Sequence, residues 1–259
     1  FAHMHLIDTH THLFAQQFDK DRSEVVQRAI KKGVKQMLLP NIDSNSIQPI
    51  LNLCKEFPNN CFPMIGLHPC DVKENYLEEL TIIEEWLNKK EFVAIGEIGI
   101  DLYWNKKSLN IQEDAFRKQV DLAKKYKLPI AIHVRDSFDE VLAIIDELND
   151  DSLSGVFHCF TGNDSEANHI INYGGFKLGV GGVVTFKNSG LDKTLRTIST
   201  EHLILETDSP YLAPTPYRGK RNESSYVILV AEKLAEIYGK SVEEIANITT
   251  QNAKDLFKI

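Results

Sequence analysis

Along this chain, short apolar runs rich in Val, Ile, Leu and Phe alternate with longer stretches whose apolar residues recur every three or four positions. The short runs read as strands and the longer stretches as amphipathic helices. Strands are expected at 5–8, 36–39, 62–66, 92–97, 129–133, 155–158, 176–180 and 202–206, and the clearest helices at 43–57, 77–89, 110–127 and 138–148. The strand candidates are nearly continuous apolar runs, as parallel strands buried on both faces should be. Eight strand-then-helix units predict a TIM-like (β/α)8 barrel, an α/β fold that a single domain of this length routinely adopts. An open doubly wound sheet would show the same alternation, but with a glycine-rich phosphate loop after its first strand. His10-Thr-His12 stands there instead.

A hydrophobic content of 42% with 25% charged residues is that of a globular enzyme, and no apolar run is long enough to span a bilayer. Phe1-Ala-His3 precedes Met4 and reads as an expression remnant, leaving residues 4–259 as the barrel. No cleavable signal segment follows Met4, so a cytoplasmic protein is expected. Cys54, Cys61, Cys70 and Cys159 are too few and too scattered for a disulfide framework, and free thiols are expected. The net charge of −8 disfavours broad adhesion to a nucleic-acid backbone, which depends on many Lys and Arg contacts. A phosphate-bearing substrate has to be gripped locally.

In a (β/α)8 barrel the side chains at strand C-termini converge on one mouth. Ligand-type residues fall at those ends in strand after strand. Residues two apart on a strand share a face, so His10 and His12 can aim two imidazoles at one ion, with Asp8 one step deeper. The fourth strand ends in Ala94-Ile-Gly-Glu97, the fifth in Ile130-Ala-Ile-His133, the sixth in Gly155-Val-Phe-His158 and the eighth in Leu203-Ile-Leu-Glu206-Thr-Asp208. Singly, His133 or His158 reads as a hydrogen-bonded core histidine and Asp208, before Ser-Pro, as a turn residue. Jointly, six such donors at one end of five strands describe a binuclear metal centre. Imidazole and carboxylate suit a borderline divalent ion such as Zn2+ or Mn2+. Two such ions can share a hydroxide, lower its pKa and polarise a phosphoryl or carbonyl oxygen. Glu97 and Asp208 are the candidate catalytic carboxylates, Glu97 as bridge and Asp208 as acceptor of the attacking water's proton. Glu206 shares strand parity with Asp208 and is expected to orient a ligand or a water from behind. Cys159 should point away from the face used by His158, and His169 and His202 read as structural.

The motifs Ile7-Asp-Thr-His-Thr-His12, Gly66-Leu-His-Pro69, Gly96-Glu-Ile-Gly-Ile-Asp101, Pro129-Ile-Ala-Ile-His133-Val-Arg135, His158-Cys-Phe-Thr-Gly162, Leu205-Glu-Thr-Asp-Ser-Pro-Tyr211 and Arg218-Gly-Lys-Arg-Asn222 span the chain. Together the chain resembles the TatD-like metal-dependent deoxyribonucleases of the amidohydrolase superfamily. The resemblance implies a TIM-like barrel with one ion held by His10, His12, Glu97 and Asp208 and a second held by Glu97, His133 and His158. It also implies two divalent ions, Mg2+, Mn2+ or Zn2+, and DNA as substrate. Glutamate at position 97 points to the deoxyribonuclease branch, because the related phosphotriesterases use a carboxylated lysine there. Two departures from the family pattern, Ile100-Asp-Leu-Tyr-Trp104 and Arg221-Asn-Glu-Ser224, touch no ligand and bear on the substrate groove.

Around the mouth, His68 reads either as a donor to a phosphate oxygen or as a capped loop histidine. Arg135 is a candidate phosphate clamp, with a surface ion pair as its other reading. Arg218, Lys220 and Arg221 concentrate three cations in an acidic chain and read as a local phosphate grip. Tyr103 and Trp104 are expected to pack against a neighbouring loop, with stacking on an unpaired base as the alternative. The combined expectation is a DNA phosphodiesterase acting on single-stranded or free ends, with no membrane and no obligate protein partner. An esterase, lactonase or aminoacyl-tRNA deacylase at the same metals is a second class the ligands allow, and a non-catalytic metal-binding barrel a third.

Overall fold

In the computed structural model, which describes residues 4–259, eight parallel strands follow one another in chain order within one sheet. They are β1 (Leu6–Asp8), β2 (Val34–Leu39), β3 (Cys61–Ile65), β4 (Ala94–Asp101), β5 (Ile130–Arg135), β6 (Gly155–Phe157), β7 (Phe176–Val180) and β8 (Leu203–Leu205). Between successive strands run α1 (Arg22–Lys31), α2 (Ser44–Glu56), α3 (Tyr76–Leu87), α4 (Leu109–Tyr126), α5 (Phe138–Leu148), α6 (Asp164–Asn172) and α7 (Leu191–Arg196), and β8 is followed by α8 (Val227–Tyr238) and α9 (Val242–Phe257). This is the expected (β/α)8 barrel. Residues 1–3, read as an expression remnant, lie outside the described residues. Among the described residues no helix is long and apolar enough to cross a membrane.

Two apolar layers hold the barrel. Ile7, Leu38, Met64, Ala94, Ala131, Val156 and Ile204, one from each of seven strands, fill its interior together with Ala253 and Phe257 of α9. The last helix is fastened at the N-terminal ends of β1 and β8, where Thr250 Oγ1 donates to His5 O and Asn252 Nδ2 to Thr200 O and Leu203 O. It therefore plugs one end of the barrel and leaves the strand C-termini open. The second, larger layer lies between strands and helices, with Phe116, Phe157 and Phe160 among its bulkiest members. Helices α2, α6 and α9 start at Asp43, Asn163 and Ser241, each in a capping box that satisfies main-chain donors at the helix end.

The seam between β8 and β1 is closed by main-chain hydrogen bonds from Thr9 N to Leu205 O (3.0 Å), Asp208 N to His10 O (2.9 Å) and His12 N to Ser209 O (2.8 Å). Seven strands fall close to their expected positions; β4 runs four residues past the expected end at Glu97, to Asp101. Gly96 and Gly99 resemble strand breakers, but here they allow close approach. Gly99 has φ 144° and pairs with His133, and a Cβ there would run into the His133 main chain. A Gly99→Ala substitution therefore strains the backbone and pushes β4 off β5. The expected cost is at least about 2 kcal/mol, read as a thermal midpoint lower by about 4 °C or more in chelator-treated protein; an unchanged midpoint contradicts this account.

Candidate metal centre

Glu97 projects into the open end of the barrel and is only 2% exposed. Its Oε1 lies 3.1 Å from His10 Nε2 and 3.4 Å from His12 Nε2. Its Oε2 lies 2.8 Å from His133 Nδ1, 3.3 Å from His68 Nε2 and 3.5 Å from His158 Nε2. Asp208 Oδ1 is 3.2 Å from His12 Nε2 and 3.6 Å from both His10 Nε2 and His158 Nε2. Donors about 2.1 Å from a tetrahedral ion lie roughly 3.4 Å apart. The spacings of 3.1 to 3.6 Å from the His10 and His12 nitrogens to the Glu97 and Asp208 oxygens bracket that value, so this set fits a divalent metal ion as it stands. His10, His12 and Asp208 bring donor atoms within 4.8 Å of one another, as do His68, Glu97 and His133, and His10, His158 and Glu206.

The histidines are aimed by partners behind them. Interior-facing Ile7 would send Thr9 rather than His10 inward under strict alternation, but β1 ends at Asp8 and the seam hydrogen bonds direct the next residues. Asp8 is not one of the donors: its carboxylate accepts from His10 N (3.3 Å), Thr207 N (3.0 Å) and Thr207 Oγ1 (2.6 Å), tying the two sides of the seam together. Burial pushes that carboxyl up to about 7. Glu206 Oε1 lies 2.8 Å from His158 Nδ1 and accepts from Cys159 N at 2.6 Å. Glu206 reaches His158 across Gly179, where a Cβ would lie 2.5 Å from Oε2. His133 Nε2 is 2.8 Å from Asp101 Oδ2, whose burial is outweighed by this imidazole so that its carboxyl is held at about 2. His68 Nδ1 accepts from Cys70 N at 3.1 Å, which assigns the proton of the neutral ring to Nε2, the nitrogen facing Glu97. His68 is thus both a capped loop histidine and a donor aimed at the site.

Burial opposes the ionised carboxylates, yet the surrounding imidazoles hold Glu97 well below the usual range and Asp208 below it too. Burial likewise opposes protonation of His12 and His158, but Asp208, Glu97 and Glu206 hold them up at about 9 and about 10. His10 goes the other way, lowered by burial and by His158, whose ring stacks on it at 3.4 Å. Cys159 lines the cavity beside His158, contrary to the parity expectation, because β6 has ended at Phe157 and Cys159 adopts φ 49°. Burial and the nearby carboxylates push its thiol far up, which keeps it protonated and a poor ligand.

A cavity of about 820 Å3 opens over these groups, with His12, His68, Glu97, His133, His158 and Asp208 in its floor and Trp104, Arg135, Tyr211 and Leu212 around it. Arg135 makes no ion pair among the described residues; its Cζ lies 3.8 Å from the Tyr103 ring centroid. Tyr103 and Trp104 do not pack away under a loop as expected: they are 52% and 71% exposed. Arg218, Lys220 and Arg221, expected as a cationic grip, are not among the residues that line the cavity. Arg221 is committed to a bidentate pair with Asp21 at 2.8 and 2.7 Å and lies over the Phe18 ring, while Arg218 stacks on Phe186 at 3.7 Å. His169 pairs with Asp146 far from the mouth.

Residues 7–258 match the family described as TatD related DNase. The chain is 42% identical to the uncharacterized metal-dependent hydrolase YabD of Bacillus subtilis (98% of this chain, 99% of the relative). It is 34% identical to the 3'-5' ssDNA/RNA exonuclease TatD of Salmonella typhimurium, over 98% of this chain and 99% of that one. The crystal structure of YJJV, a TatD homologue from Escherichia coli, superimposes with a TM-score of 0.92 at 27% identity, covering 98% of both chains. The chain belongs to the TatD family of metal-dependent hydrolases. Within this TatD chain, Asp101 is the site residue missing from the sequence-based set, although 97 and 101 share strand parity and the strand continues to Asp101. Metal loading should displace protons from this centre. His12 and His158 carry protons at pH 7 because their pKa values are raised, and an ion takes the unprotonated ring. Loading chelated protein with Mn2+ or Zn2+ at pH 7 should release on the order of one to two protons per chain, and affinity should rise as pH climbs toward 9. Calorimetric enthalpies that do not change with buffer ionisation heat contradict this.

Proposed function

We propose that this TatD-family hydrolase cleaves phosphodiester bonds at the ends of single-stranded DNA, with two divalent ions sharing Glu97. The observation that carries the reading is the division of the Glu97 oxygens between two sets of histidines. His10, His12, Glu97 and Asp208 would hold one ion, and Glu97, His133 and His158 the other. Mg2+, Mn2+ or Zn2+ bound there would polarise a phosphoryl oxygen and acidify a water.

The chain's own groups do the rest. Asp208, at 16% exposure, opens onto the cavity, and with Oδ1 turned to His12 its second oxygen is available to take the proton of the attacking water. The imidazoles of His158 and His12 keep it ionised, and so ready as a base. His68 offers its Nε2–H to a phosphate oxygen, and Glu206 keeps His158 turned toward the reacting centre. Arg135, free of ion pairs among the described residues, offers a planar fork to the phosphate. Because Glu97 is recessed, a scissile phosphate reaches it only after its strand has left a duplex, and the Salmonella relative's name supports an end-directed, single-stranded substrate.

The test is degradation of end-labelled single- and double-stranded DNA by protein stripped of metal and reloaded with Mg2+, Mn2+ or Zn2+. Metal-dependent laddering, favouring single strands, is expected; the label position gives the polarity. Asp208→Ala should lower kcat by roughly 10²–10⁴-fold. Arg135→Ala should raise KM, whereas Arg221→Ala should act on stability alone. Intact DNA with every ion contradicts the reading and turns attention to carbonyl esters at the same donors.

A further inference from the structure

We propose that Trp104 is a stacking platform for the nucleobase next to the scissile phosphate, so that this site selects an unpaired strand by the face of its base rather than by its sequence. The proposal rests on the nuclease reading above. Trp104 lines the cavity yet leaves 71% of its surface open, an unusual position for the largest apolar side chain unless something covers it in use. Its ring stands at 88° to that of Tyr103, with centroids 4.7 Å apart, and the Arg135 guanidinium carbon lies over both rings, 3.8 Å from the Tyr103 centroid and 5.7 Å from that of Trp104. One unit thus presents a π-face for a base and a fork for the adjoining phosphate.

The platform is built at a set distance from the reacting centre. Asp101 Oδ1 accepts from Tyr103 N at 3.0 Å and Trp104 N at 3.4 Å, while its Oδ2 sits 2.8 Å from His133. One carboxylate therefore holds both the aromatic turn and a histidine facing Glu97. A phosphate drawn down to the recessed Glu97 pulls its neighbouring base out of any stack, and the lost stacking has to be replaced at the mouth. Electrostatics supply little of that grip: Arg135 is the single Lys or Arg among the described cavity-lining residues, in a chain of net charge −8. Retention should therefore depend only weakly on salt, with a slope of about one phosphate contact.

The experiment compares steady-state cleavage of a short single-stranded oligonucleotide with that of the same strand carrying a tetrahydrofuran abasic residue beside the first scissile phosphate. It uses metal-loaded wild type, Trp104→Ala and Trp104→Phe. Trp104→Ala should raise KM on the intact strand between about fivefold and a hundredfold, with a smaller change in kcat. On the abasic strand wild type should show the same rise, Trp104→Ala should add nothing further, and Trp104→Phe should restore most of the affinity for the intact strand. A Trp104→Ala effect that is absent, or equal on both strands, overturns the platform and leaves the nuclease reading standing. Failure of wild type to cleave the intact strand with any ion removes both.

Discussion

An ionised carboxylate at the centre of a barrel is the constraint around which this molecule is arranged. Glu97 is almost fully withdrawn from solvent, and an uncompensated charge there would be prohibitively costly. Five imidazoles answer it, three on one oxygen and two on the other. Each needs its own backing: Asp101 behind His133, Glu206 behind His158, the Cys70 amide behind His68, and seam hydrogen bonds for His10 and His12. These secondary carboxylates add negative charge in turn, and although burial opposes it, Asp101 raises the basicity of His133 and Glu206 that of His158. Divalent cations resolve the same imbalance with fewer particles, which is why a cluster like this reads as a metal site rather than as a buried ion-pair network.

Residue type at strand ends made most of this centre legible in advance. The eight apolar runs located the barrel, and the acids and imidazoles that follow them stand out because a strand end in a parallel barrel has one open direction. The geometry that brings His10 and His12 into place was less accessible, since it depends on hydrogen bonds to residues around 205–209 and not on alternation within β1. Asp101 was obscured by Gly96 and Gly99, which look like the end of a strand and instead let β4 lie against β5.

The fates of the cations and aromatics at the mouth were not written locally at all. Arg221 is consumed by Asp21, a residue from the loop before α1, whereas Arg135 meets no acid among the described residues and rests on Tyr103. Which loop meets which is a tertiary outcome, and a run of basic residues says nothing about it. The same holds for Trp104, whose exposure follows from a turn pinned by Asp101 and not from any feature of its neighbours in the chain.

The seam joining β1 to β8 has a temporal consequence. His10 and His12 belong to the first strand's exit and Asp208 to the last, and the hydrogen bond from Asp208 N to His10 O is part of what closes the barrel. During synthesis, a ribosome releases His10, His12, Glu97, His133 and His158 while the segment carrying Asp208 is still unmade. The set formed by His10, His12 and Asp208 stays open until the eighth strand docks against the first, so the step that closes the barrel is also the step that completes this cluster.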